Sequence, residues 1–361
     1  MTTRVSTTPL SGARATGPGG SGGTPRRGLV LGGGGMLGAA WTVGALCAVE
    51  ESAGWRPGDA EVLLGTSAGA ILAALLAAGV DAEGLRDHQR GLPVGEGPLA
   101  GIAFDYDTAV GGALPPRPRA GIGSPGLLRD AVRHPREYPL LTMVSAMAPH
   151  GRGSLDPVGE LVGGLFGPGG WPAGAPGSAL RVVAVDYRGG HRVVFGDADA
   201  PPADVAGAVM ASCAIPGWFA PVRLDGSAYV DGGCWSATNA DLALGRGLDE
   251  VYVLAPMALR DDPPGRSKPG PGVSDPSRAR RVRDRPHGVL ARLVSRYRRA
   301  VTRQLLREAR LLRASGVRVH LLAPTPADLA AMGPNMMDPA RRGAVLESAL
   351  ETCRAALEAA R

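Results

Sequence analysis

Gly65-Thr66-Ser67-Ala68-Gly69 is the stretch that most restricts how this chain can fold. The apolar run Val62-Leu63-Leu64 leads into it, and the Ala- and Leu-rich run Ala70 to Ala78 leads out. Strand, Gly-x-Ser-x-Gly, then helix is the context of a nucleophile elbow. In so tight a turn, side chains two residues either side of the serine would collide, and glycine at Gly65 and Gly69 removes that collision. The serine oxygen is then held above the sheet edge, and the new helix aims its first N–H groups at the same point. A plain strand-to-helix turn in an alanine-rich protein has the same pattern, so the partners of Ser67 must be sought elsewhere.

A second strand–loop–helix unit precedes it. Gly28-Leu29-Val30-Leu31 reads as a buried strand, Gly32 to Gly38 as a glycine loop, and Ala39 to Glu51 as a helix. Gly33-x-Gly35-x-x-Gly38 matches a dinucleotide fingerprint, which also wants a second strand ending in an acid that holds the ribose. The second strand here ends in Gly65-Thr66-Ser67 instead. The rival reading is an anion cradle, in which successive glycines turn backbone N–H groups toward an oxygen that becomes negative during reaction. Two βα units in sequence put both loops at the carboxyl ends of adjacent parallel strands.

Between Asp81 and Gly177 the pattern loosens. Short helices are expected at Leu127–Val132, Leu140–Ala148 and Pro157–Phe166, in a Gly/Pro-rich cap-like segment over about 88–178. A hairpin is expected from Leu180–Asp186 and His191–Phe195, then a helix from Ala203 to Cys213. Ala228-Tyr229-Val230-Asp231-Gly232-Gly233 delivers a carboxylate into a glycine turn, although Asp-Gly alone also suits an ordinary turn. A helix over Thr238–Gly245 and a strand over Glu250–Ala255 follow. The Pro/Gly/Arg-rich stretch 260–287 reads as a mobile linker. Gly288 to Ser315 reads as a long helix with Leu290, Val294, Tyr297, Val301 and Leu305 on one face. Arg292, Arg296, Arg299, Arg303, Arg307 and Arg310 lie opposite, a stripe that suits solvent or an anionic lipid surface. Val317–Ala323 is a last strand and Ala340–Arg361 a closing helix. Residues 1–25 read as a disordered tail and 26–361 as one domain.

Composition narrows the function classes. The net charge is +6 and Lys268 is the only lysine; an Arg-rich composition of this kind needs no nucleic-acid partner. Cys47, Cys213, Cys234 and Cys353 show neither paired nor metal-type spacing, which predicts buried thiols in a reducing compartment. No metal cluster or cofactor is expected. The opening residues carry no apolar signal-peptide core, and Ala68–Val80 is too short to span a bilayer. The expectation is a cytoplasmic protein with peripheral contact at the inner membrane surface.

Three pieces in order resemble the patatin-like phospholipase family: Leu31 to Gly38, then Gly65-Thr66-Ser67-Ala68-Gly69, then Asp231-Gly232-Gly233. Ala211 to Gly217 and Met332 to Asp338 also look like bacterial members, so the likeness spans about residues 27–350. The resemblance implies a three-layer α/β/α fold with a mostly parallel central sheet. It implies a serine acyl hydrolase acting on lipid or other acyl esters, with Ser67 as nucleophile and Asp231 as base. Amides around Gly33, Gly34 and Gly35 would form the oxyanion hole, with Gly32 and Gly38 completing the loop. Many members carry Arg or Lys just before the last glycine of that loop, where this chain has Leu37. The backbone donors remain.

Gly-x-Ser-x-Gly also serves α/β-hydrolases, which need a histidine after the acid. Only His287 and His320 follow Asp231. His287 falls in the expected linker and His320 inside a strand pattern, so Asp231 would have to accept the serine proton itself. That requires a partly desolvated carboxylate close to Ser67. A Ser-Asp-His esterase, a weakly active lipid-binding protein and a dinucleotide-binding oxidoreductase are the competing readings.

Overall fold

Strand β1 (Arg27–Leu31) and strand β2 (Val62–Thr66) run side by side and parallel, in register from Gly28 opposite Val62 to Leu31 opposite Gly65. The computed structural model describes residues 24–102, 104–106, 112, 114–167, 170–171, 179–260 and 289–359. Helix α1 (Gly35–Ala53) follows β1 and α2 (Ala68–Ala77) follows β2. Then come α3 (Ala82–Arg90), α4 (Pro125–Arg133), α5 (Leu140–Met147) and α6 (Asp156–Phe166). The second half holds β3 (Leu180–Asp186), β4 (Arg192–Phe195), α7 (Val205–Cys213), β5 (Val222–Leu224), β6 (Ser227–Asp231) and β7 (Glu250–Leu254). The described chain closes with α8 (Val289–Ala314), β8 (Arg318–Leu322), α9 (Pro326–Met332) and α10 (Arg342–Glu358).

β8, β7, β1, β2 and β3 are mutually parallel in that order, and β4, β5 and β6 are antiparallel additions at the β3 margin. A parallel sheet needs cover on both faces, and alternate residues divide accordingly. Leu29, Leu31, Leu63 and Leu254 join one core with Trp41, Leu46, Leu72 and Leu346 from α1, α2 and α10. Val30, Leu64, Val251 and Val253 join a second core with Val301, Leu305 and Leu312 of α8. The result is the three-layer α/β/α arrangement expected from the sequence. The apolar face of α8 is one of its layers, and Arg292, Arg296, Arg299, Arg303, Arg307 and Arg310 point outward, exposed.

Three local differences from the sequence reading have identifiable causes. Thr238–Gly245 is not an α-helix; only Ala240–Ala243 turns, as a 3₁₀ segment. The N–H groups of Thr238 and Asn239 donate to Ser236 Oγ, and that of Ala240 to Glu308 Oε2, so side chains shape the backbone here. Two helices absent from the sequence reading are short and capped: α3 starts at Asp81, which accepts from Gly84 N, and α9 starts in a Thr325/Asp328 capping box. The expected tail (1–25) and linker (260–287) lie outside the described residues apart from Thr24, Pro25 and Arg260. All four cysteines are buried and unpaired. No described helix is long and apolar enough to cross a membrane.

α1 is buried along nearly its whole length and crosses α10 at Gly44, where an added Cβ would lie 2.6 Å from Ala349 Cβ and 2.9 Å from Leu350 N. Gly44→Val should therefore cost about 1–3 kcal/mol through overpacking. A lowered denaturant midpoint with unchanged slope would report it, and an unchanged midpoint would show that the two helices do not meet this closely.

Candidate active site

Ser67 stands between β2 and α2 with φ 55° and ψ −128°, a backbone conformation that costs a non-glycine residue about 1–3 kcal/mol. Close packing enforces it. A Cβ on Gly69 would lie 2.1 Å from Leu31 O, and one on Gly65 would lie 2.5 Å from Ala70 Cα. Glycine is obligatory at both places, as the elbow motif predicts. The Ser67 N–H donates to Ser212 Oγ at 2.8 Å, and that hydroxyl donates to Val183 O at 2.6 Å. The strained residue is thus tied through α7 to β3.

Asp231 reaches Ser67 because of strand geometry. β4 occupies one edge of β3 over residues 182–185, so β2 and β6 must share the other. β2 pairs there with 180–183 and β6, running the opposite way, with 184–186. Their carboxyl ends meet head to head: Thr66 is opposite Val183 and Asp231 opposite Ala184. Ser67 and Asp231, far apart in sequence, are consequently brought side by side, close enough for the Ser67 hydroxyl to favour the ionised carboxylate. Gly232 makes the junction feasible, since a Cβ there would lie 2.4 Å from Val183 O. The Gly233 N–H donates to Asp231 Oδ1 at 2.6 Å.

Both groups are enclosed, Ser67 being 6% and Asp231 5% exposed. Burial pushes the Asp231 carboxyl up to about 6, and the neighbouring Ser67 hydroxyl and Gly233 N–H oppose that rise only in part. This is the partly desolvated carboxylate that a base without imidazole requires. No histidine lines the surrounding cavities among the described residues. His320 lies on β8 and stacks on Tyr252 at 4.4 Å; His287 falls outside the described residues.

The glycine loop borders Ser67 directly, a Cβ on Gly33 lying 3.0 Å from Ser67 Cβ. Its first amides hold the loop down: Gly32 N–H donates to Leu254 O at 2.9 Å and Gly33 N–H to Ala237 O at 2.8 Å. That corrects the expectation for Gly33, whose amide is already engaged. Gly34 and Gly35 N–H groups have no acceptor among the described residues, and Gly35, at φ +62°, opens α1. Gly38 closes the first turn, its N–H donating to Gly34 O at 3.0 Å. Leu37 is fully buried, so its side chain faces the core, while its N–H donates to Met336 O at 3.0 Å.

Two residues outside the sequence reading organise this surround. Asn239, in the left-handed region at φ 51°, donates to Thr66 Oγ1 and to the Gly232 and Ser236 carbonyls, locking the elbow to the Asp231 turn. Glu308 of α8, 1% exposed, accepts from Ser236 Oγ, Thr238 Oγ1, Ala240 N and Gln304 Nε2. A lone acid within an Arg-rich helix was the available signal for it.

Ser67 lies where two cavities meet. A cleft of about 460 Å³ runs past Gly34, Gly35, Asp231, Val144, Trp218 and Tyr297. A narrower slot runs along α2 past Ile71, Leu72 and Leu75 and is otherwise lined largely by apolar side chains such as Leu155, Val158 and Phe219. Gly35, Ser67, Ile215 and Met337 line both.

An elbow serine set against a buried carboxylate beside a glycine loop, on a mostly parallel three-layer sheet, defines a class of α/β serine hydrolase-like proteins. The model of one such family, patatin-like phospholipase, matches residues 29–244, and the chain belongs to that family. Membership supports lipid hydrolase activity in general. No curated protein matches the chain. Among solved structures it is similar to VipD from Legionella pneumophila, at 14% identity over 93% of this chain and 67% of that one, with a TM-score of 0.42.

The raised Asp231 carboxyl has a consequence for stability. Protonated, it suits its site; ionised, it does not. The stability it contributes is full below pH 3.8 and is lost as pH rises through about 6. Asp231→Asn should thus melt no lower than wild type at pH 8, with a gain of at most about 3 kcal/mol. The gap should shrink as pH falls below 6. A large loss of stability at pH 8 would show that the ionised carboxylate is well solvated.

Proposed function

We propose that the protein is a lipid acyl hydrolase working through a Ser67–Asp231 dyad and an acyl-enzyme intermediate. The observation that carries the reading is the head-to-head meeting of β2 and β6, which sets an elbow serine against a buried carboxylate. Asp231 accepts the Ser67 proton as Oγ attacks the ester carbonyl. The tetrahedral oxyanion turns to the N–H groups of Gly34 and Gly35, reinforced by the N-terminus of α1. Asp231 then protonates the departing alcohol, water enters by the same route, and the fatty acid is released. Gly65 and Gly69 hold the elbow, and Gly232 and Gly233 hold the base.

The two cavities divide the substrate. The apolar slot suits the acyl chain and the wider cleft the alcohol portion. From Ser67 to Leu75 the slot follows α2 for about 12 Å at about 1.5 Å per residue, the length of an acyl chain of roughly eight to ten carbons. Medium-chain esters should have the highest kcat/KM in a length series. A flat series, or an optimum at acetate, would contradict the assignment of the slot.

Ser67→Ala should lower turnover by at least about 10³-fold, whereas His320→Ala should stay within about twofold of wild type. The reverse ranking would favour a histidine-dependent triad. Because Asp231 must be ionised to accept the proton, kcat/KM for wild type should fall with unit slope as pH drops through about 6. A limb near pH 4 would indicate a base exposed to water.

A further inference from the structure

Arg298 is a buried charge with no ion-pair partner among the described residues. It stands on the inward face of α8, beside the apolar residues that cover the sheet, and is 4% exposed. Among the described residues no carboxylate comes within ion-pair distance of it. Its guanidinium donates instead to Pro256 O at 2.9 Å and, through Nη2, to the sulfurs of Met336 at 3.1 Å and Met332 at 3.3 Å. Thioethers are weak acceptors, so most of the cost of desolvating the cation is left standing. Burial accordingly pulls its pKa down to about 10, at which it is still charged near neutrality.

The groups it holds back the glycine loop. A Cβ on Gly34 would lie 2.9 Å from Pro256 Cγ, and one on Gly38 3.4 Å from the same ring. Met336 accepts the Leu37 N–H on its carbonyl and lines the cleft. The loop itself brings no cation, Leu37 being buried and apolar. One residue separates the guanidinium from the loop whose Gly34 and Gly35 amides have no acceptor among the described residues. Tyr297, its neighbour on α8, lines the cleft that contains Ser67 and Asp231.

We propose that Arg298 is a positioning residue of the acyl-transfer site, clamping Pro256 and Met336 against the glycine loop and lending its unneutralised charge to the oxyanion formed at Gly34 and Gly35. The inference rests on the dyad reading above. Among the described residues the cation has no ion-pair partner before reaction; in the tetrahedral intermediate a negative charge develops on the loop it backs. Stabilisation that exists only then lowers the barrier rather than tightening substrate binding.

Arg298→Met and Arg298→Lys test this on a medium-chain p-nitrophenyl ester, with kcat, KM and melting temperature measured on each. Methionine fills similar space without charge, and losing an unpaired buried cation should leave the melting temperature equal to wild type or higher. The methionine variant should lose about tenfold in kcat, with KM within about twofold, since the charge acts through intervening groups rather than by direct donation. Arg298→Lys should recover kcat to within about threefold of wild type. A methionine variant with wild-type kcat would overturn the proposal while leaving the dyad intact. So would a loss of kcat matched by an equal loss in the lysine variant, or one accompanied by a fall in melting temperature in both, since Arg298 would then serve the fold alone. A wild-type protein with no esterase activity would overturn both the dyad reading and this one.

Discussion

The structure depends on one edge of one strand. β4 covers the far side of β3, so β2 and β6 have to divide the near side, and they approach from opposite directions. Where they meet there is room for no side chain at Gly232, and the residues that flank the meeting point are a serine and an aspartate. The glycines at 65 and 69, the left-handed Asn239 and the Ser212 bridge all serve to keep that junction closed. The hydroxyl–carboxylate contact is therefore a product of sheet topology, and no local sequence signal encodes it.

The junction has its cost built in. Ser67 occupies a backbone conformation unfavourable to it, and among the described residues Asp231 and Arg298 are buried without an ion-pair partner. Two cores, one on each sheet face, supply the stability that tolerates such strain. The polar layer between them and the cavities is well bonded, with Glu308 alone receiving four donors. Local destabilisation surrounded by firm packing is what a preorganised site requires.

Much of this was legible in the sequence, for physical reasons. Glycine spacing around Ser67 reflects collisions that depend on neighbours two residues away, and alternation in Val30/Leu31 and Leu63/Leu64 reflects two buried faces. The parallel pairing of β1 and β2 followed from two βα units in succession. What was not legible depends on contacts between distant segments. The Gly33 amide looked available until Ala237 O arrived from the loop after β6. The helix expected over Thr238–Gly245 gave way because Ser236 and Glu308 take its amides. Nothing in the sequence pattern singled out Arg298, which faces inward.

If the proposed dyad operates, Asp231 makes Ser67 nucleophilic where the two strands meet. Reaction with a fluorophosphonate, followed by peptide mapping by mass spectrometry, tests it most directly. Wild type should yield a single phosphonylated peptide containing Ser67, formed more slowly as pH falls through about 6, and Asp231→Asn should yield none. Label on another residue, or labelling of Asp231→Asn at the wild-type rate, would contradict it.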